Sequence, residues 1–168
     1  MSKKIRLNNL APVARACNLG YMLDALLGIA RGEEVMTSQV TLSIGTSSKP
    51  KVKVSAVTGY VNGVWFTANA QEVAFTATGH DVLDTKWATY RISIVANGTV
   101  TITMSASVYA TRALAIAALP ATPASEVNLG YVIVHANGAL FDASTTNLDA
   151  ATVDVEYVAD TCYTVDLD

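Results

Sequence analysis

Charge is the first thing this sequence has little of. Lys, Arg, Asp and Glu make up 15% of its 168 residues, against roughly a quarter in ordinary soluble domains. The net charge is −3, which argues against a nucleic-acid binder, normally marked by a basic surface. Aromatic residues are also scarce at 7%, so the core has to come from Val, Ala, Leu and Ile. Two cysteines, Cys17 and Cys162, make no disulfide framework. Each reads as a small buried hydrophobe, and the chain is expected to stay in a reducing cytoplasm until assembly. No long apolar run occurs. The longest, Ala113 to Leu119, is far short of the ~20 residues that span a bilayer. Lys3, Lys4 and Arg6 are followed by polar Asn8 and Asn9, not by the apolar stretch of a signal peptide.

With so few charges, much of the surface must be Thr, Ser, Asn and Ala, which suits a protein that packs against others of its kind. The length allows one well-buried domain and is short for two. Charge is unevenly spread. Residues 1–34 carry Lys3, Lys4, Arg6, Arg15 and Arg31 against Asp24, Glu33 and Glu34, whereas from Asp142 onward there are only acids. A basic head and an acidic tail could meet within or between subunits. The tail could equally be a solvated edge.

The clearest pattern is β. Tyr90, Ile92 and Ile94 alternate with Arg91, Ser93 and Val95. After Asn97-Gly98, Val100, Ile102 and Met104 alternate with Thr and Ser. Period-two alternation on both sides of Asn-Gly predicts a hairpin with a type I′ turn. One face is apolar and the other is largely Thr, Ser and Arg, so a half-buried ribbon is expected. Strands are also predicted over Val40–Ile44, Lys51–Val57, Val73–Thr78, Leu129–His135 and Thr152–Val158. Further Asn-Gly turns fall at 62–63, within a hairpin over 60–66, and at 137–138. In the last strand Val153, Val155 and Tyr157 should point inward, Asp154 and Glu156 outward. Thr111–Leu119 could form a short helix ended by Pro120. The expected fold is mainly β: an antiparallel β-sandwich, jelly-roll-like, over residues 35–168.

Residues 1–34 form a separate unit in this reading. A basic arm (Lys3, Lys4, Arg6) precedes Asn18 as an N-cap. Leu19, Leu23, Leu26, Leu27 and Ala30 then follow at helical spacing, with Gly32 as the stop. Such a helix is apolar nearly all round and needs a cover. Either the β-domain or a neighbouring protein supplies it, and the segment is assigned to attachment or oligomerisation. Lys3, Lys4, Arg6, Leu19, Leu23, Leu26 and Leu27 are the candidate partner-binding residues.

Residues with catalytic or ligating chemistry are few. His80-Asp81 with Asp84 suggests a metal corner but lacks a second His or a Cys, and Asp-rich loops ordinarily make turns. Ser43 to Lys49 has Gly, Ser and Lys without phosphate-loop spacing. No G-x-S-x-G elbow and no G-x-G-x-x-G is present. Trp65, Phe66 and Trp87 could form a sugar platform, although strand aromatics are more often core. No catalytic, cofactor or metal residues are assigned, and an enzyme is not expected.

Val73-Ala74-Phe75-Thr76, Lys86-Trp87-Ala88-Thr89-Tyr90, Asn97-Gly98-Thr99-Val100, Ala118-Leu119-Pro120-Ala121-Thr122-Pro123 and Leu129-Gly130-Tyr131-Val132 together resemble a pattern in structural proteins of tailed bacteriophages. The families are capsid decoration (cement) proteins and base domains of head and tail fibres. The resemblance covers residues 71–158, and the helix near the N-terminus lies outside it. It implies a virion component assembled in the host cytoplasm, commonly a homotrimer docked on the major capsid protein or another virion protein. It supplies no catalytic residues. A receptor- or carbohydrate-binding module of a phage head or tail fibre is the alternative.

Overall fold

The computed structural model describes residues 35–45, 50–75 and 79–160. Among them the chain is mainly β, with ten strands in antiparallel sheets and one short helix. The expected helix around Leu19–Ala30, all seven candidate partner-binding residues and both cysteines lie outside the described residues.

The strand β7 (Trp87–Val95) is central to a four-stranded sheet. Its neighbours are β8 (Val100–Met104) on one side and β9 (Glu126–Ala136) on the other, with β10 (Val153–Ala159) at the far edge. The β-branched and aromatic residues of β7 alternate, so Ala88, Tyr90, Ile92 and Ile94 share one face and are fully buried. They meet Val132 and Val127 of β9, and Met104, Ile102 and Val100 of β8.

Between Ile92 and Ser93 the pairing with β9 slips. Ile92 faces Gly130, the next pair is Ser93 with Asn128, and Leu129 is the extra residue of a β-bulge. The bulge reverses the parity of β9, so Val127 and Leu129 are buried before it, and Val132, Val134 and Ala136 after it. Gly130 has φ +132°, and a Cβ there would lie 2.2 Å from the Val158 carbonyl oxygen. Only glycine lets β9 bend this close to β10.

Two three-stranded sheets complete the β structure. One is β1-β4-β5, with β1 at Val35–Met36, β4 at Val57–Val61 and β5 at Val64–Ala68. The other is β2-β3-β6, with β2 at Leu42–Ile44, β3 at Lys51–Val54 and β6 at Gln71–Ala74. Their alternate residues, among them Val52, Val54, Val57, Val61, Phe66 and Ala68, join one hydrophobic cluster with the apolar face of the four-stranded sheet. Phe75 links the sheets, meeting the rings of Tyr90 and Phe141 edge-on at 4.6 and 5.8 Å.

The opposite face of β7 is not open to water. The helix α1 (Arg112–Ala117) begins at Thr111, whose hydroxyl accepts the Leu114 N–H at 3.3 Å. It lies across this face, where the Thr89 hydroxyl donates to the Ala115 carbonyl at 3.1 Å. Arg91 reaches further along, with Nε donating to the Pro120 carbonyl at 2.7 Å and Nη1 to Asn128 Oδ1 at 2.8 Å. Ser93 and Thr101 both donate to Glu126 Oε2, at 2.5 and 2.6 Å. The expected half-buried ribbon is therefore buried on both sides of β7, because its polar residues find partners in α1, the 118–125 connection and Glu126.

Three other expectations change. The 97–98 turn is not type I′. Only Gly98 has positive φ, +85°, and its N–H donates to the Val95 carbonyl at 2.9 Å. That is a type I turn closed by a glycine bulge. The two-residue turn with both central φ positive is instead Asn62-Gly63, at +51° and +74°. Asn137-Gly138 opens a long loop to β10 and no tight hairpin. The strand expected over 51–57 breaks at Ser55, whose hydroxyl accepts the Thr41 N–H at 2.9 Å and turns the chain into a different sheet.

Candidate ligand recess

Cross-strand register builds a small recess on the α1-side face of the four-stranded sheet. Trp87 on β7 faces His135 on β9, which faces Asp154 on β10. In the next row Thr89 faces Ile133, which faces Glu156. The rings of Trp87 and His135 stack in parallel, 4.0 Å apart with planes 9° from each other. His135 Nδ1 lies 3.0 Å from Asp154 Oδ2, an oxygen that also accepts from Asn137 Nδ2 at 3.3 Å. From above, Arg112 of α1 forms a fork with Glu156: Nε donates to Oε2 at 2.9 Å and Nη2 to Oε1 at 2.8 Å. The pair is half exposed, and exposed pairs of this kind stabilise by at most about 1 kcal/mol.

Trp87, Arg112, Ile133, Asp154, Val155 and Glu156 line a half-open recess of about 160 Å³. This is smaller than the roughly 300–1,000 Å³ of pockets that hold drug-sized ligands. Its floor is apolar, and its rim carries the Arg112–Glu156 pair and the Asp154 carboxylate, already engaged by His135 Nδ1 and Asn137 Nδ2. Such a recess can seat one flat apolar face, for example that of a sugar ring against indole. It offers no unengaged base or nucleophile, since each carboxylate already accepts from a cation, an imidazole or an amide.

The residues considered from sequence for a sugar platform are dispersed. Phe66 is buried in the core, whereas Trp65 on the other face of β5 is 50% exposed. Trp65 meets Tyr60 edge-on at 5.0 Å. Together with Val64 it forms an exposed apolar tip on the β4–β5 hairpin. Only Trp87 belongs to the recess. Its partner His135 carries no site motif in the sequence. The signal lay in the 87/135/154 register, which requires pairing β7 with a strand far away in sequence.

The His80-Asp81-Asp84 corner is a clasp between two loops. Asp81 Oδ1 accepts the Ala143 N–H and Asp84 Oδ1 the Gly138 N–H, both at 2.8 Å. Between them Val82 and Phe141 exchange backbone hydrogen bonds. The two aspartates thus close the 137–152 loop onto the core. His80 packs edge-on to Phe75 and Tyr90. Burial lowers its pKa below 6.5, while neighbouring Asp81 acts in the opposite direction. Tyr90 donates to the His80 carbonyl at 2.5 Å, and burial raises its pKa well above the usual phenol value. Among the described residues no group of three or more His, Cys, Asp or Glu could hold a metal ion.

No family model, curated protein or solved structure matches the chain.

Proposed function

We propose that this protein is a structural component of a bacteriophage particle, a decoration or cement protein that binds and stabilises the head. The observation that carries the reading is where its reactive side chains are spent. Asp81, Asp84, Arg91, Glu126, Asp154 and Glu156 each hold one part of the fold to another. A surface poor in charge and the phage-like pattern over residues 71–158 support it further. In the same reading the three sheets form a jelly-roll-like sandwich, the protein is a non-enzymatic homotrimer, and it functions in the virion.

Residues 1–34 are the proposed docking element. Burying a Leu contributes roughly 1.5–3 kcal/mol, so Leu19, Leu23, Leu26 and Leu27 together could dominate binding to the major capsid protein or another virion protein. Lys3, Lys4 and Arg6 would add salt-sensitive attraction. The test is a chain lacking residues 1–34, examined by circular dichroism and by co-sedimentation with undecorated particles. A folded chain that no longer sediments supports the assignment. An unfolded one places the segment in the subunit's own core, and a folded one that still binds removes it from docking.

One observation favours a second reading, a carbohydrate- or receptor-binding module. The indole of Trp87 contributes to the apolar floor of the recess between Arg112–Glu156 and Asp154. Glycan-array binding lost in Trp87→Ala but kept in Trp65→Ala would support it. A blank array would remove it.

A further inference from the structure

We propose that Asn62 is the site at which this protein is modified by spontaneous deamidation, ahead of the two other Asn-Gly pairs. The reaction needs the following backbone nitrogen to attack the asparagine side chain. Gly63 N bonds to Asn62 Cγ, and the side-chain nitrogen leaves as ammonia with the proton lost from Gly63 N. The resulting succinimide takes up water across either imide bond, giving aspartate or isoaspartate. Water enters and ammonia leaves, and no other reactant is required.

The three pairs share this chemistry but differ in how the attacking nitrogen is held. Gly98 N–H donates to the Val95 carbonyl at 2.9 Å, and Asn97 Oδ1 is occupied by the Thr99 N–H at 2.9 Å. Gly138 N–H donates to Asp84 Oδ1 at 2.8 Å, and Asn137 Nδ2 is tied to Asp154. Each of these sites must break a hydrogen bond before its nitrogen can attack, and must also release its side chain. At the β4–β5 tip Asn62 and Gly63 are both exposed. Among the described residues neither the Gly63 N–H nor the Asn62 amide has a hydrogen-bond partner. Both residues have positive φ, as the central pair of a two-residue hairpin turn. The product carboxylate would stand beside Val64 and Trp65, 58% and 50% exposed, and would place a negative charge on an otherwise apolar tip.

The test is peptide mapping by mass spectrometry of the full-length protein aged in mildly alkaline buffer, natively and in denaturant. In the native protein Asn62 should convert at least about fivefold faster than Asn97 or Asn137, the rate equivalent of one hydrogen bond. In denaturant the three rates should converge. Native rates that are equal, or faster at Asn97 or Asn137, would overturn the proposal. So would an Asn62 preference that persists in denaturant, because the cause would then be local sequence and not the turn.

Discussion

Gly98 and His80 show how single residues constrain this fold. Gly98 sits at φ +85° with the Ala68 Cβ 3.6 Å from where its own Cβ would be. Space is therefore adequate, and the cost of a side chain is conformational. Gly98→Val should lose roughly 1–3 kcal/mol through a β-branched residue at positive φ. A melting temperature unchanged from the parent would contradict that. His80 responds to pH because burial lowers its folded pKa below 6.5. As pH falls through the unfolded value, the unfolded chain takes up a proton that the folded chain does not, so stability falls. The loss should set in below about pH 6.5 and level off at the lower folded pKa. Asp142 acts lower still. Hydrogen bonds from Ser144 depress its pKa, so its contribution is present above the ordinary carboxylate value and is lost as pH falls from there to the lower folded value. Urea midpoints measured across pH 4–8 should show the His80 step, and His80→Asn should flatten it. A parent curve without that step would refute the assignment.

At the scale of elements, period-two alternation made the strands visible in the sequence, and their partners were much less visible. The Tyr60–Phe66 hairpin, the Trp87–Met104 ribbon and the inward row Val153, Val155 and Tyr157 all follow from local pattern, and the run Thr111–Leu119 with Pro120 beyond it marks α1 without fixing its cap. The break at Ser55 was hidden because Lys51–Val57 reads as one β-rich run, and only the Thr41–Ser55 hydrogen bonds divide it. The bulge at Leu129 was hidden for a related reason. Its cause is the approach of Gly130 to Val158 and Ala159, a contact between residues distant in the chain. The recess depends on the same long-range pairing, so Trp87 stands out in the sequence as an aromatic, whereas His135 gains its place only through strand register. The bulge gives a strong test. In Gly130→Ala the new methyl group would collide with the β10 backbone at 2.2 Å and hold an unfavourable φ. A loss of at least roughly 2 kcal/mol is expected, with the β9–β10 amides losing protection first in hydrogen exchange. A variant as stable as the parent would mean that β9 does not bend here.

Over the whole molecule, the proposed homotrimer rests on the low charge of the sequence and on the exposed Val64 and Trp65 beside Tyr60 at the β4–β5 tip. Light scattering at micromolar concentration should give three times the 17.7 kDa chain mass. A monomer mass would contradict trimerisation in solution. The proposed role in a phage particle is tested most directly by cryo-electron microscopy of particles purified from the source of this chain. The expected result is density on the outside of the head that fits the β-domain of residues 35–160, repeated at equivalent lattice positions, with residues 1–34 against the capsid surface. Particles that are complete and infectious but contain no such density, and no trace of the chain by mass spectrometry, would contradict the account.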